Sequence, residues 1–176
     1  MYWRSAGHLT AAVVGLMVFT GCATQSLPQF QAAFVPAKHR NVRVERCQDR
    51  SGFKGERDLA AEATEALTEK LKATNVFEIS PKASLVLSCD IESFAEGNAF
   101  QRWILPGWGA TEARVAVIVF ERPGEKVLAT LRSHSAVGSG GLFSVGADQY
   151  ILSVALDDIV NQMEAWAKGA STQQQP

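Results

Sequence analysis

The sequence predicts an α+β fold: one domain with a mixed, mostly antiparallel sheet and two helices on one face of it. Three observations carry this prediction. Two segments repeat apolar residues at helical spacing, one early and one at the C-terminal end. Between them lie short segments of alternating or continuous apolar residues, bounded by turn signals. About 155 residues remain once the N-terminal leader is set aside, a one-domain length that buries a substantial core.

The elements follow in the order β-α-β-β-β-β-α. Asn41 to Cys47 alternates Val42 and Val44 with Arg43 and Glu45, which predicts a strand. Ser51 to Gly55 is a loop. Glu56 to Thr74 is a helix with Leu59, Ala60, Ala63, Leu67 and Leu71 on one face. Acids precede Lys70 and Lys72, which suits the helix dipole, and Asn75 is a left-handed cap. Val76 to Ile79 is a short strand that Ser80-Pro81 ends. Leu85, Leu87, Cys89 and Ile91 alternate with Ser88, Asp90 and Glu92, a strand with one wet face. Ala113 to Phe120 is apolar on both parities and predicts a central strand. Arg122-Pro123-Gly124-Glu125 is a turn, after which Val127, Ala129 and Leu131 form a hairpin partner. Asp148 to Lys168 is the strongest helix, with Leu152, Ala155, Leu156, Ile159, Val160, Met163, Trp166 and Ala167 as its stripe. Gly169 caps it, and residues 170–176 read as a disordered tail. The helices pack on the same face of the sheet as the simplest solution. Strand order is left open.

The first 22 residues read as an address and an anchor. Arg4 supplies a positive start. Leu9 to Phe19 is an apolar run of about a dozen residues, too short for the ~20 that cross a bilayer. Small residues then precede Cys22. The series Phe19-Thr20-Gly21-Cys22 resembles the lipobox of bacterial lipoproteins. That resemblance implies diacylglycerol on Cys22 and removal of residues 1–21. The bland alternative is an ordinary signal peptide with an incidental cysteine. Two or more acyl chains hold a protein on a bilayer without crossing it. Ala23 stands where the lipoprotein inner-membrane retention signal is an Asp, which implies the inner leaflet of an outer membrane. Residues 22–39, with Gln, Ser and two prolines, read as a lipidated tether to a domain over 40–169.

Composition excludes little beyond nucleic acid. There are 17 basic and 18 acidic residues, a net charge of −1, whereas nucleic-acid binding calls for a basic domain. Lys38, Arg40, Arg43, Arg46, Arg50, Lys54 and Arg57 fall close together, diluted by acids. They read either as attraction to anionic lipid or cell-wall polymer or as a solvated edge. Three cysteines are present, and Cys47 and Cys89 are left once Cys22 is assigned to lipid. A disulfide between them suits an oxidising compartment. Strand parity argues against it, because Cys89 shares a face with Leu87 and Ile91 whereas Cys47 opposes Val42 and Val44.

Chemistry-bearing motifs are sparse. No G-x-S-x-G elbow is present around Ser144, and Gly138 to Gly141 lacks the Lys-Ser/Thr ending of a phosphate loop. His39 and His134 have no partner at metal-ligand spacing. Asp157 and Asp158 point about 100° apart on a helix and do not converge. We expect no metal, no cofactor and no catalysis. The segment from Gly97 to Ala110 stands apart. It holds Phe100, Arg102, Trp103, Ile104, Leu105 and Trp108, and apolar area of that kind marks interaction sites. For Trp103 a binding role and a cap over the open end of the sheet stand side by side. Trp108, between two glycines, reads as exposed or as seated in the lipid headgroup zone.

The segment Arg102 to Ala110, running into the strand from Ala113 to Phe120 and followed by Gly124, Leu128 and Gly140-Gly141, resembles the bacterial lipoprotein family catalogued as a domain of unknown function, number 4410. The layout is also similar to the curli-secretion channel lipoprotein and to lipoprotein activators of cell-wall synthases. Those relatives imply docking or assembly. Our reading is a lipid-anchored periplasmic interaction module whose partners are the membrane, through Cys22, and an envelope protein. The alternatives are a subunit of an oligomeric lipoprotein or secretion assembly, including a homo-oligomer, or an envelope hydrolase using His134.

Overall fold

A computed structural model describes residues 23–97, 109–137 and 146–169. In chain order the elements are β1 (Ala23–Ser26), β2 (Gln29–Phe30), α1 (Pro36–His39), β3 (Asn41–Val44), β4 (Gln48–Asp49), α2 (Leu59–Ala73), β5 (Glu78–Ile79), β6 (Leu85–Ala95), β7 (Thr111–Glu121), β8 (Lys126–Val137) and α3 (Ala147–Ala167). Among the described residues the eight strands form one mixed sheet in the order β1-β8-β7-β6-β3-β5, with β2 also on β8 and β4 also on β6. The α+β prediction holds, and α2 and α3 pack on the same face.

The hairpins β6–β7 and β7–β8 are the body of the sheet. In β7, Ala113, Val115, Val117 and Val119 face the helices and are wholly buried. This central strand is apolar on its other parity too, but there Ile118 remains 40% exposed. Strand β6 keeps Leu85, Leu87, Cys89 and Ile91 on the helix face until a bulge between Ile91 and Ser93. The extra residue returns Phe94 to the core side, where it packs in the cluster. The parallel pairs β3–β6 and β3–β5 join the ends of the α2 crossover.

Helix α2 starts where the Asp58 carboxylate accepts from the Ala61 N–H, and it buries Leu59, Ala63, Leu67 and Leu71. Asn75 follows the helix at φ 56°, the left-handed conformation its sequence position predicted. Helix α3 buries Ile151, Leu152, Ala155, Leu156, Ile159, Val160, Met163 and Trp166 against β7 and β8. Burying such apolar side chains contributes ~1.5–3 kcal/mol each. Asp157 pairs with Lys70 of α2, and Asp158 accepts from Ser26 of β1, so the two acids diverge as predicted. No described helix is long and apolar enough to cross a membrane.

Two expectations are corrected. The stretch expected to be a tether is not free over its described residues 23–39. Residues of β1 and β2 pair antiparallel with β8, from Ala23↔Ala136 to Phe30↔Ala129, and Phe34 stacks edge-on against Trp166. The polar side chains of Gln25, Ser26 and Gln29 masked strands that are held by backbone hydrogen bonds. The second correction is the disulfide: Cys47 and Cys89 are joined, with Cα atoms 4.5 Å apart. Parity misled because β3 ends at Val44. The chain leaves the strand through Glu45 and Arg46 before Cys47, whose N–H is bound by the Thr64 hydroxyl. Alternation does not carry through such a break.

Candidate functional site

The sequence-predicted site residues Cys22, Phe100, Arg102, Trp103 and Trp108 lie outside the described residues, as do Gly138 to Gly141. The framework that presents them is described. The connection between β6 and β7 leaves at Gly97 and returns at Gly109, both with left-handed backbone (φ 69° and 66°) that favours glycine. Its root is closed by the Thr111 hydroxyl, which donates to the Glu96 carbonyl at 2.6 Å. The registers Ala95↔Glu112, Glu112↔Ala136 and Ala23↔Ala136 put four strand termini in one row. Cys22 is the residue before Ala23. The start of β1, the roots of the aromatic connection and the end of β8 therefore share one end of the sheet.

Neighbouring segments close round that end. Phe53 packs edge-on against Phe94, ring centroids 5.1 Å apart, and the Arg57 guanidinium sits 5.2 Å from the same ring. Arg57 also donates to the Asp148 carbonyl at 2.9 Å and to both Glu62 oxygens. The Glu62 hydrogen bond holds the guanidinium above its ordinary range, against the desolvation that opposes it. This one side chain ties the start of α2, the start of α3 and the end of β6 together.

The sheet face away from the helices is charged. Arg43 pairs with Glu45, which also takes Arg122; Arg50 pairs with Asp90, Arg132 with Glu92, and Arg114 with Glu112. Exposed pairs of this kind contribute ~0–1 kcal/mol each. The basic run singled out in the sequence is thereby dispersed, because Arg40, Arg43, Arg46, Arg50 and Arg57 each meet an acid. That favours the solvated edge over a cationic patch. Val86, Ala116, Ile118, Phe120 and Val127 are apolar residues on the same face, of which Ile118 and Val127 are each 40% exposed.

His134 belongs to this face. Its Nε2 lies 3.4 Å from Glu112 Oε2, which Arg114 Nη2 approaches to 4.0 Å. The serine in the same cross-strand row, Ser93, is two strands away through Arg114, about 10 Å at the ordinary strand spacing. The pair lies beside the Arg114–Glu112 ion pair on this face.

The opposite end of the sheet carries an aromatic cluster that the sequence reading missed. Trp166 is fully buried and donates from Nε1 to the Ala32 carbonyl at 2.7 Å. Phe30 and His39 lie roughly parallel to its indole, and Phe34 meets it edge-on. His39 Nδ1 accepts from the Val35 N–H at 2.9 Å, so the imidazole is neutral with its proton on Nε2. Burial pushes His39 below its ordinary range and Lys38 adds to this, while Glu121 opposes it. The available signal was three apolar residues, Phe30, Phe34 and Val35, in a stretch read as linker.

Solved structures share this fold. The PelC dodecamer from Paraburkholderia phytofirmans matches with a TM-score of 0.57 at 12% identity, over 78% of this chain and 97% of that one. Protein XCC0632 from Xanthomonas campestris, of family DUF330, matches with a TM-score of 0.53 at 12% identity, over 80% of this chain and 92% of that one. At that identity the likeness is one of fold. No curated protein matches the sequence. The family model described as Domain of unknown function (DUF4410) matches residues 45–141, which is more than half of the sequence and includes the disulfide, the α2 crossover and the whole β6–β8 body, and the chain belongs to that family.

Proposed function

We propose that the chain is a lipoprotein of the bacterial envelope, anchored through lipid on Cys22, that acts by non-catalytic interaction or assembly with another envelope protein. The observation that carries this reading is the shared end of the sheet. The residue after Cys22 pairs with β8 beside the roots of the connection that holds Phe100, Arg102, Trp103 and Trp108. Anchor and aromatic segment leave the fold together. The buried Cys47–Cys89 disulfide supports an oxidising compartment such as the periplasm. Ala23 after the cysteine supports the inner leaflet of an outer membrane. Affinity capture of the lipidated protein from intact envelopes tests the interaction. Wild type retains a partner that Trp103→Ala and Trp108→Ala lose. Equal recovery from all three would contradict the assignment of those residues.

A second reading is a ring or other homo-oligomer. It rests on Ile118, which stands 40% exposed at the middle of a charged sheet face, and on the fold shared with a protein solved as a dodecamer. Mass measurement in detergent separates the two. An oligomer that Ile118→Arg dissociates supports the second reading, and a monomeric wild type removes it.

A further inference from the structure

We infer that the domain is seated directly on the bilayer, with the β1–β8–β7–β6 end of the sheet against the lipid headgroups. The inference rests on the proposed lipid at Cys22 and adds what the strap does to it. A flexible tether over residues 22–39 would let the domain wander; a random coil of that length has an end-to-end distance of about 20 Å. The structure removes that slack. Residues Ala23 to Ser26 are in register with Ala136 to Ser133. The Thr24 and Ser135 hydroxyls meet at 3.1 Å, and the Ser26 hydroxyl donates to Asp158 on α3. From Cys22 to the first sheet residue is one peptide step, about 3.8 Å between Cα atoms. A cysteine whose acyl chains are buried in the membrane therefore brings this corner of the sheet to the interface.

The strand registers say which other groups come with it. Phe94 pairs with Ala113, and Ala113 pairs with Ser135, so the loop that packs Phe53 on Phe94 lies at the same end. Lys54, exposed, is the next residue in that loop. The strand spacing places β6 about 15 Å across the sheet from β1. Tyr150, 40% exposed, projects from the first turn of α3, which Arg57 ties to the same place. Lys82 and Lys168 lie beyond the opposite ends of β6 and α3, and Lys126 is the residue at the opposite end of β8. The partner is the bilayer surface itself. This end also carries Glu96, Glu112 and Asp148, so the acyl chains and not local charge hold it there.

Lysine acetylation footprinting on vesicles of phosphatidylethanolamine and phosphatidylglycerol tests this. We expect Lys54 of the lipidated protein to react severalfold more slowly than in the unlipidated Cys22→Ser protein, while Lys82, Lys126 and Lys168 react alike in both. A long Gly/Ser insert between Cys22 and Ala23 should return Lys54 to the unlipidated rate. Intact mass and vesicle flotation report the anchor separately. Lipid present with Lys54 unchanged, or with all lysines slowed equally, overturns the seating alone. Lipid absent from Cys22 overturns both the seating and the anchor.

Discussion

The two ends of this sheet are built differently. At one end Trp166, His39, Phe30 and Phe34 interlock, and the indole N–H and the imidazole Nδ1 both have backbone partners. At the other end four strand termini meet the anchor position and the two connections, and a single arginine, Arg57, ties the neighbouring helices together. Both of those polar groups are satisfied within the chain, so that end stabilises the fold. The other end is where the proposed anchor and the proposed interaction segment join the described fold. On that proposal a small domain separates the part that holds the fold from the part that meets something else.

Substitutions that break the closed end should show the largest effects on stability. Trp166→Ala removes the centre of the cluster and leaves the Ala32 carbonyl without its donor; loss of a buried aromatic of this kind costs ~3–5 kcal/mol. Denaturant unfolding should show that loss, and a loss under ~1 kcal/mol would mean the cluster is not the lock we describe. Next comes the disulfide, which closes a separation of 42 residues. Cys47→Ala with Cys89→Ala should cost ~2–4 kcal/mol, and unfolding of oxidised and reduced wild type should differ similarly.

The acid response of the closed end is smaller. His39 is buried neutral, with its folded pKa below the unfolded value of about 6.5. The unfolded chain therefore binds the extra proton, and the contribution of His39 is complete above that value and declines as pH falls through it. His39→Gln, which keeps an acceptor for the Val35 N–H, should flatten the decline in melting temperature between neutral and mildly acidic pH. An unchanged pH profile would remove His39 as its cause. The smallest effect on stability belongs to the anchor end. Trp108→Ala should change stability by no more than ~0.5 kcal/mol, the range of surface substitutions, while weakening capture of an envelope partner. If it melts as low as Trp166→Ala, the aromatic connection is a structural lid.

Much of the fold was legible in the sequence because its body is periodic. The alternation from Leu85 to Ile91 and the stripes of α2 and α3 each match a buried face. The central strand was legible from its apolar run. What escaped was not periodic. Strands β1 and β2 are short and polar, and their partner β8 lies some 100 residues later, so backbone pairing alone defines them. Cys47 escaped because three residues outside the strand are enough to cancel parity. His39 fell at the end of the stretch read as a tether, and only the fold places Phe34 and Trp166 around it. The expectations for Cys22 and for the Trp-rich segment rest on composition alone, and the meeting of the strands that flank them depends on register, which no local pattern encodes.

The anchor is the claim on which the rest depends, and intact mass of the mature protein with fractionation of its Cys22→Ala variant tests it most directly. The account predicts a wild-type chain that begins at Cys22, carries diacylglycerol and sediments with membranes, and a variant recovered in the soluble periplasm. A wild-type protein without lipid, together with a variant that still sediments with membranes, would contradict it.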